Sequence, residues 1–530
     1  MRRLFVIASV GILLLNGIIA IFYPPVLWSM IFFGPLIVLG TYDYFQKQHA
    51  VIRNFPVFGR LRYFFESIRP EIAQYFIESD TEGRPFSRDQ RSVVYQRAKG
   101  VRDTVPFGTQ QDVYEVGYEW VNHSIRPLPL KTADQRVTVG GPDCKQPYSA
   151  SRFNISAMSF GALSKNAVLA LNRGAKMGDF AHNTGEGGLS PYHLQGGGDL
   201  IWQIGTAYFG CRTGEGQFCP DTFAQKAKLP NIKMVEIKLS QGAKPGHGGI
   251  LPASKLTKEI AEIRDVTMGN DVLSPPAHSA FSNPIELLEF VAQLRELAGS
   301  KPVGFKLCVG KRREFLAICK AMVKTGTTPD FITVDGGEGG TGAAPPEFSN
   351  HIGTPLIEGL IFVHNALVGF SVRNHIRVFA SGKVTTGFGM VKRLALGADA
   401  CYSARGMMLA LGCIQALKCN SNHCPVGVTT QKPDLVAGLV VEDKYKRVAN
   451  FHHEQLKSVC EIMGAMGIAN PDHLHPWHIM RRTGPTEIKH YGEIYEFLND
   501  GDLLQENLPN SYKRAWHAAS AETFEHAHAL

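Results

Sequence analysis

Val303-Gly304-Phe305-Lys306-Leu307-Cys308, a helical stretch over Lys311–Lys324, then Phe331-Ile332-Thr333-Val334 running on to Gly336-Gly337-Glu338-Gly339-Gly340-Thr341-Gly342, is the passage that decides the fold. Short apolar runs of this kind are strands buried on both faces, as in a parallel sheet, and the helix between them is the crossover such a sheet requires. The glycines stand where the chain leaves the second strand, so backbone can approach a ligand closely there.

The same alternation extends in both directions from this unit. Candidate strands are Phe153–Met158, Asp179–His182, Met234–Leu239, Val272–Ser274, Val303–Cys308, Phe331–Val334, Arg377–Ala380 and Ala400–Ser403. Helical segments separate most of them: Ser164–Met177, Lys255–Arg264, Pro284–Ala298, Lys311–Lys324 and Met390–Leu396. Eight such repeats with polar, glycine-rich strand ends predict an α/β fold, a (β/α)8 barrel with its site at the C-terminal face. The competing architecture is an open doubly wound sheet, but no Gly-x-Gly-x-x-Gly follows the first strand. The barrel is expected over residues 143–432, after a linking subdomain at 46–142 and before a helical tail at 433–530 that ends rich in histidine.

Among 530 residues the 54 glycines are clustered, as in Gly185-Glu186-Gly187-Gly188 and Gly246-His247-Gly248-Gly249, which suits a phosphate or a flat ring. The formal net charge of +8 carries no basic block with interleaved aromatics, so nucleic acid is not an expected partner.

At the front, Leu4–Tyr23 is an apolar run interrupted by Asn16, Pro24-Pro25 breaks it, and Val26–Tyr42 forms a second run. About twenty helical residues span a bilayer core, so residues 1–45 read as a transmembrane helical hairpin. Arg2 and Arg3 precede it and Lys47, Arg53, Arg60 and Arg62 follow, which predicts an inner-membrane protein with both ends of the hairpin and the catalytic domain on the cytoplasmic side. A cleaved signal peptide and a hairpin buried in a soluble core are the alternatives.

Cys413, Cys419 and Cys424-Pro425 crowd into a dozen residues. Zinc sites normally present four ligands, whereas three cysteines ending in Cys-Pro suit an iron–sulfur cluster, here a three-iron [3Fe–4S] cluster; three unconnected core cysteines are the plain alternative. Ser381-Gly382-Lys383 and Ser403-Ala404-Arg405-Gly406 close the seventh and eighth strands, where barrels commonly hold phosphate, unless they are ordinary tight turns. Lys306 on the fifth strand carries a cation into the barrel and needs a partner, either a functional one or a core salt bridge.

The stretch from Gly412 to Gln431, which includes Cys424-Pro425-Val426-Gly427-Val428-Thr429-Thr430-Gln431, resembles the cluster loop of the glutamate synthase family. The resemblance continues through Ser156-Ala157-Met158-Ser159-Phe160-Gly161, Gly185-Glu186-Gly187-Gly188, Ile237-Lys238-Leu239-Ser240-Gln241-Gly242-Ala243-Lys244-Pro245-Gly246, Ser274-Pro275-Pro276-Ala277-His278 and Gly337–Ala343. It covers roughly Arg152 to Gln431, a little over half the chain. It implies an FMN-binding barrel that reductively aminates 2-oxoglutarate, through 2-iminoglutarate, to L-glutamate. By resemblance Glu186, Lys244 and Arg264 form the substrate site, although Arg264, at a helix end, could equally be solvated. FMN contacts would fall on Met158, Ser159 and Lys306, on Gly339, Gly340 and Thr341, and on the two phosphate loops at Ser381, Gly382, Lys383 and Ser403, Ala404, Arg405. Cys413, Cys419 and Cys424 would hold the cluster.

This sequence departs from the family pattern in several places. The family's N-terminal glutaminase domain and C-terminal β-helix have no counterpart, so nitrogen is expected as ammonia, as an amine or from a partner protein. Where the family commonly has Gly-Glu-Gly-Gly-Gln, this chain has Gly246-His247-Gly248-Gly249-Ile250, which removes a hydrogen-bond donor and opens the question of the oxo acid. The Cys-His dipeptide of the cluster loop reads Cys419-Asn420. No nicotinamide fingerprint is visible, so an external donor, ferredoxin-like or a flavin-bearing dehydrogenase subunit, is expected. N-methylglutamate synthase chemistry is the enzymatic alternative, and a membrane-bound electron-transfer module the alternative of another class.

Overall fold

The computed structural model describes residues 1–101, 103–132 and 135–525; the end of the expected His-rich tail, 526–530, lies outside them. The chain forms two compact units, Met1–Arg88 and Asp89–Leu530, so the division falls inside the segment 46–142.

In the first unit, helices α1 (Arg2–Phe22) and α2 (Met30–Phe45) are joined by a 3-10 turn over Pro24–Ser29. Proline supplies no N–H to continue α1, and its fixed φ suits the start of the turn. Arg2–Phe22 and Pro24–Phe45 are each long and apolar enough to cross a membrane. Asn16 does not break α1, because its amide donates to the Ile12 carbonyl at 3.0 Å and accepts from the Ser29 hydroxyl at 2.5 Å. Past the hairpin, the buried Asp43 accepts from the Arg60 guanidinium at 2.6 Å and from the Val57 N–H at 3.0 Å.

The second unit is built on a closed barrel of eight parallel strands. In chain order they are β1 (Phe153–Ile155), β2 (His182–Asn183), β3 (Leu200–Ile204), β4 (Ile232–Lys238), β5 (Val303–Leu307), β6 (Phe331–Asp335), β7 (Arg377–Ser381) and β8 (Ala400–Ser403). Alternation along each strand separates two environments. Outward residues such as Val235, Ile237, Phe305 and Val334 join the helices in one core, while inward residues form layers. The lowest layer is apolar and joins Ile201, Met234, Phe331, Phe379 and Tyr402 to Val137, Val139, Tyr148 and Ala150 of an antiparallel hairpin. That hairpin plugs the N-terminal end of the barrel. Above it, the buried Glu236 carboxylate accepts from Asn183 (2.8 Å), Gln203 (2.7 Å) and Thr333 (2.6 Å). The lysines Lys238 and Lys306 follow above Glu236, at the C-terminal mouth.

Two sequence expectations are corrected here. Val272–Leu273 is not a barrel strand; it pairs antiparallel with Ile250–Leu251 in an excursion between β4 and the helix Pro284–Leu297. The third barrel strand is Leu200–Ile204, buried throughout, and the crossover before it holds only the short helix Pro191–Gln195. A crossover that short shows no helical period, and the glycines at 196–198 read as loop. The two differences cancel in the count, so Lys306 stays on the fifth strand. The C-terminal segment is also not purely helical: Ile479–Arg482 and Ile488–His490 form a three-stranded sheet with Glu119–Val121.

Candidate functional site

At the mouth, Lys238 on β4 and Lys306 on β5 are register partners. Two buried ammonium groups side by side need two anions. Lys238 pairs with Glu186 at 2.7 Å and Lys306 with Asp335 at 3.6 Å. Burial works to raise the Glu186 carboxyl, but Lys238, Arg264 and Lys244 outweigh it and hold it below its ordinary value. Burial, helped by Lys306, pushes Lys238 down against the pull of Glu186. For Lys306, burial is outweighed by Asp335, Glu236 and Glu186, and the amine is raised.

Asp335 also accepts the Gly242 N–H at 3.0 Å, tying the start of the excursion to the barrel. A Cβ on Gly242 would lie 1.7 Å from the Gly336 carbonyl oxygen. Gly242→Ala is therefore expected to cost about 3 kcal/mol, at the upper end of overpacking, and thermal unfolding in detergent beside wild type checks it. An unchanged Tm would show that the two loops can part.

The excursion, residues 239–283, supplies much of a cleft over the mouth: Lys244, Ile250, Lys255, Arg264 and Ser274 line it with Met158, Ser159 and Glu186. Lys244 donates to the Ala343 carbonyl at 2.8 Å, and burial, aided by Lys238, pushes its amine down to about 8. Arg264 is not solvated at its helix end. It is 5% exposed, donates to the Phe160 carbonyl at 3.1 Å and lies 5.1 Å over the Phe209 ring. Burial lowers its guanidinium to about 10 against Glu186. Its Nε is buried without a hydrogen-bond partner.

Gly340, Thr341, Ala404 and Arg405 form another wall. Arg405 donates to the Glu338 carbonyl at 2.8 Å, and a Cβ on Gly340 would lie 2.7 Å from the arginine Cδ, so only glycine leaves room for that side chain. A cation beside a glycine-rich loop fits a phosphate-bearing cofactor. Lys383, the other candidate cation, is exposed on a left-handed residue and does not line the cleft. Ser381, Gly382 and Ser403 are buried behind it, with Ser403 donating to the Val384 carbonyl at 2.6 Å and the Gly382 carbonyl accepting from Arg393 at 2.8 Å. Lys306 and Gly339 likewise sit outside the lining.

Cys419 and Asn420 reach the cleft from the cysteine loop. Burial pushes the Cys413 thiol up to about 11, with Cys419 and Cys424 near enough to add to the effect. At Cys424 burial is outweighed by N–H groups of Thr429, Val426 and Val428, so this thiol is lowered, as a thiolate ligand requires. Among the described residues no three His, Cys, Asp or Glu side chains are grouped so as to hold a metal ion. Three cysteines on one loop supply the sulfur donors that an iron–sulfur cluster takes.

Sequence reading missed two cations here, Lys238 and Lys255. Lys238 had a signal: Glu236 and Lys238 are two apart on one strand, so both face inward. Lys255 sits within the resemblance but outside its quoted motifs, and only its burial marks it out.

A closed parallel barrel with a cleft at its C-terminal mouth, lined by cations and by a glycine-rich loop, is the arrangement of a (β/α)8 enzyme. The family model described as a conserved region in glutamate synthase matches residues 117–469. The glutamate synthase large subunit-like protein YerD of Bacillus subtilis is 38% identical over 88% of this chain and 94% of its own length. The archaeal glutamate synthase [NADPH] of Methanocaldococcus jannaschii is 33% identical over 67% of this chain and 66% of its own. A solved flavocytochrome b2 with benzoylformate is matched at a TM-score of 0.41 and 11% identity, over 74% of this chain and 78% of that one. The chain belongs to the glutamate synthase family.

Proposed function

We propose that this chain is an FMN- and iron–sulfur-dependent oxidoreductase that converts 2-oxoglutarate, by way of 2-iminoglutarate, to L-glutamate. The observation that carries this reading is the convergence of Glu186, Lys244 and Arg264 on one cleft with Thr341, Arg405 and Cys419. Bound FMN would supply hydride for C2 of the imine, and a [3Fe–4S] cluster on Cys413, Cys419 and Cys424 would supply electrons. Lys244 and Arg264 bind the substrate carboxylates, Glu186 manages the proton on the imine nitrogen, and Arg405 with the 339–342 loop holds the cofactor phosphate. Lys306 keeps a positive charge in the layer beneath. Electrons come from an external donor, ferredoxin-like or a flavin-bearing dehydrogenase subunit, and nitrogen from ammonia, an amine or a partner glutaminase.

The first unit anchors the enzyme in the inner membrane with the catalytic unit on the cytoplasmic side. Two bilayer-length helices support this, as do the exposed Leu61, Phe64 and Phe65 beside Arg60, Arg62 and Arg69 on the helix Gly59–Ile72. One observation favours a second reading: Ile250 in the cleft wall suits a methyl group, hence methylamine as nitrogen donor and N-methylglutamate as product.

The test is anaerobic. Protein in detergent is reduced with dithionite, and flavin absorbance is followed on adding 2-oxoglutarate with ammonia. Reoxidation with glutamate formed supports the proposal; reoxidation only with methylamine supports the second reading. A flavin that stays reduced with every oxo acid and amine removes both and leaves electron transfer.

Because the Lys244 amine is lowered to about 8, affinity for 2-oxoglutarate is expected to fall as pH rises from 7 through 9, as the ammonium is lost. Titration of the flavin spectrum with 2-oxoglutarate across that range checks it. Lys244→Arg, whose guanidinium stays charged, flattens the profile; a flat profile in wild type refutes the role.

A further inference from the structure

Among the described residues, the buried cations Lys238, Lys306, Lys244 and Arg264 of the cleft and mouth each interact with a carboxylate. Lys238 and Lys306 pair with Glu186 and Asp335, and Lys244 and Arg264 both act on Glu186. Lys255 has none. It is 3% exposed and makes no ion pair with a carboxylate among the described residues, yet it lines the cleft beside Cys419. Two of its three N–H groups donate to backbone carbonyls, Cys419 at 2.8 Å and Ala162 at 3.2 Å. The acidic side chains near enough to interact with its charge are the thiols of Cys419 and Cys424. A buried ammonium is costly unless neighbouring negative charge offsets it.

The same turn, Ala253–Lys255, is fastened to the cysteine loop a second time: the Ser254 carbonyl accepts from the Asn422 amide at 2.7 Å. Asn422 in turn accepts from the Thr430 hydroxyl and, at 2.7 Å, from the Gln431 N–H, and Gln431 donates to the Gly161 and Leu163 carbonyls. Substrate excursion, cysteine loop and first-strand loop are thus bound into one unit around Lys255.

We propose that Lys255 is the counter-ion of a thiolate-held cluster on Cys413, Cys419 and Cys424, a positioning residue that seats the cysteine loop against the cleft and favours the reduced state of the cluster. This rests on the iron–sulfur reading above. An added electron makes the cluster more negative, so a fixed cation beside it stabilises the reduced form more than the oxidised one.

The test uses the full chain, purified anaerobically in detergent, with iron analysis and EPR-monitored redox titration. Lys255→Met, Lys255→Arg and, as control, Lys258→Met at an exposed position of the following helix are compared with wild type. In Lys255→Met the reduced-to-oxidised ratio at fixed ambient potential is expected to fall at least tenfold, about 59 mV for one electron. Lys255→Arg and Lys258→Met should stay within about threefold of wild type, a shift too small to reflect a lost charge. Iron lost from Lys255→Met but kept in Lys255→Arg also supports the counter-ion. An unchanged ratio in Lys255→Met with iron intact overturns it, as does equal iron loss in both variants, which would mean fit rather than charge. Wild type with neither iron nor signal overturns the cluster reading itself, an outcome distinct from the others.

Discussion

Glu186→Gln will lower turnover by about 100-fold or more, the loss expected when an acid–base group is removed. Glu186 sits among Lys238, Lys244 and Arg264, which keep it ionised despite burial. The amide keeps the shape but can neither carry a proton to the imine nitrogen nor neutralise Lys238 at 2.7 Å. Breaking a buried pair costs about 3–5 kcal/mol when the orphaned charge must remain. Here the cost is capped, because burial has already lowered Lys238 and the amine can shed its proton. The sign with pH follows. In the variant the unfolded chain binds a proton that the folded state lacks, so stability rises with pH towards the ordinary lysine range. In wild type the lowered carboxyl contributes stability above the ordinary carboxylate range, and it is lost as pH falls through the folded value. Single-turnover oxidation of the reduced flavin and thermal unfolding at several pH values measure both effects. Turnover within threefold of wild type would remove Glu186 from the chemistry.

Arg264→Met is expected to weaken 2-oxoglutarate binding by about 100-fold, since truncating one partner of a buried charged contact costs about 2–5 kcal/mol. Because the same contact serves ground and transition states, the loss should appear in KM more than in kcat. Arg264→Lys should recover only part. The guanidinium donates to the Phe160 carbonyl while lying over the Phe209 ring, and an ammonium does not reproduce that planar arrangement. Equal affinity for 2-oxoglutarate in Arg264→Met and wild type would assign the arginine to packing alone.

The barrel was legible because its strands are buried on both faces and stand out as apolar runs, and its site because charge and glycine collect at their C-terminal ends. What was misread has a local cause. Val272–Leu273 is as apolar as a barrel strand yet belongs to a two-stranded ribbon in the excursion, and periodicity cannot distinguish the two. Leu200–Ile204 was hidden by a crossover too short to declare itself. Lys383 and Arg405 look equivalent in sequence, whereas in the fold Arg405 lines the cleft and Lys383 is exposed outside it. The cationic pair Lys238–Lys306 comes from the register between β4 and β5, a property no single segment contains. The environment of Lys255 depends on contacts with Ala162 and Cys419, both far away along the chain.

The excursion between β4 and its helix also bears on how such an enzyme diversifies. Lys244, Ile250 and Arg264 all lie on it, whereas the cofactor wall and the polar layers belong to the barrel strands and the loops that follow them. Three of the proposed substrate contacts therefore lie on one piece of chain and the proposed flavin wall on others, with Lys255 tying the two together at Cys419. Grafting residues 239–283 from a relative should exchange the preferred oxo acid or amine while the flavin wall and its neighbours stay intact. A lineage could alter its diet through one cassette and keep its engine.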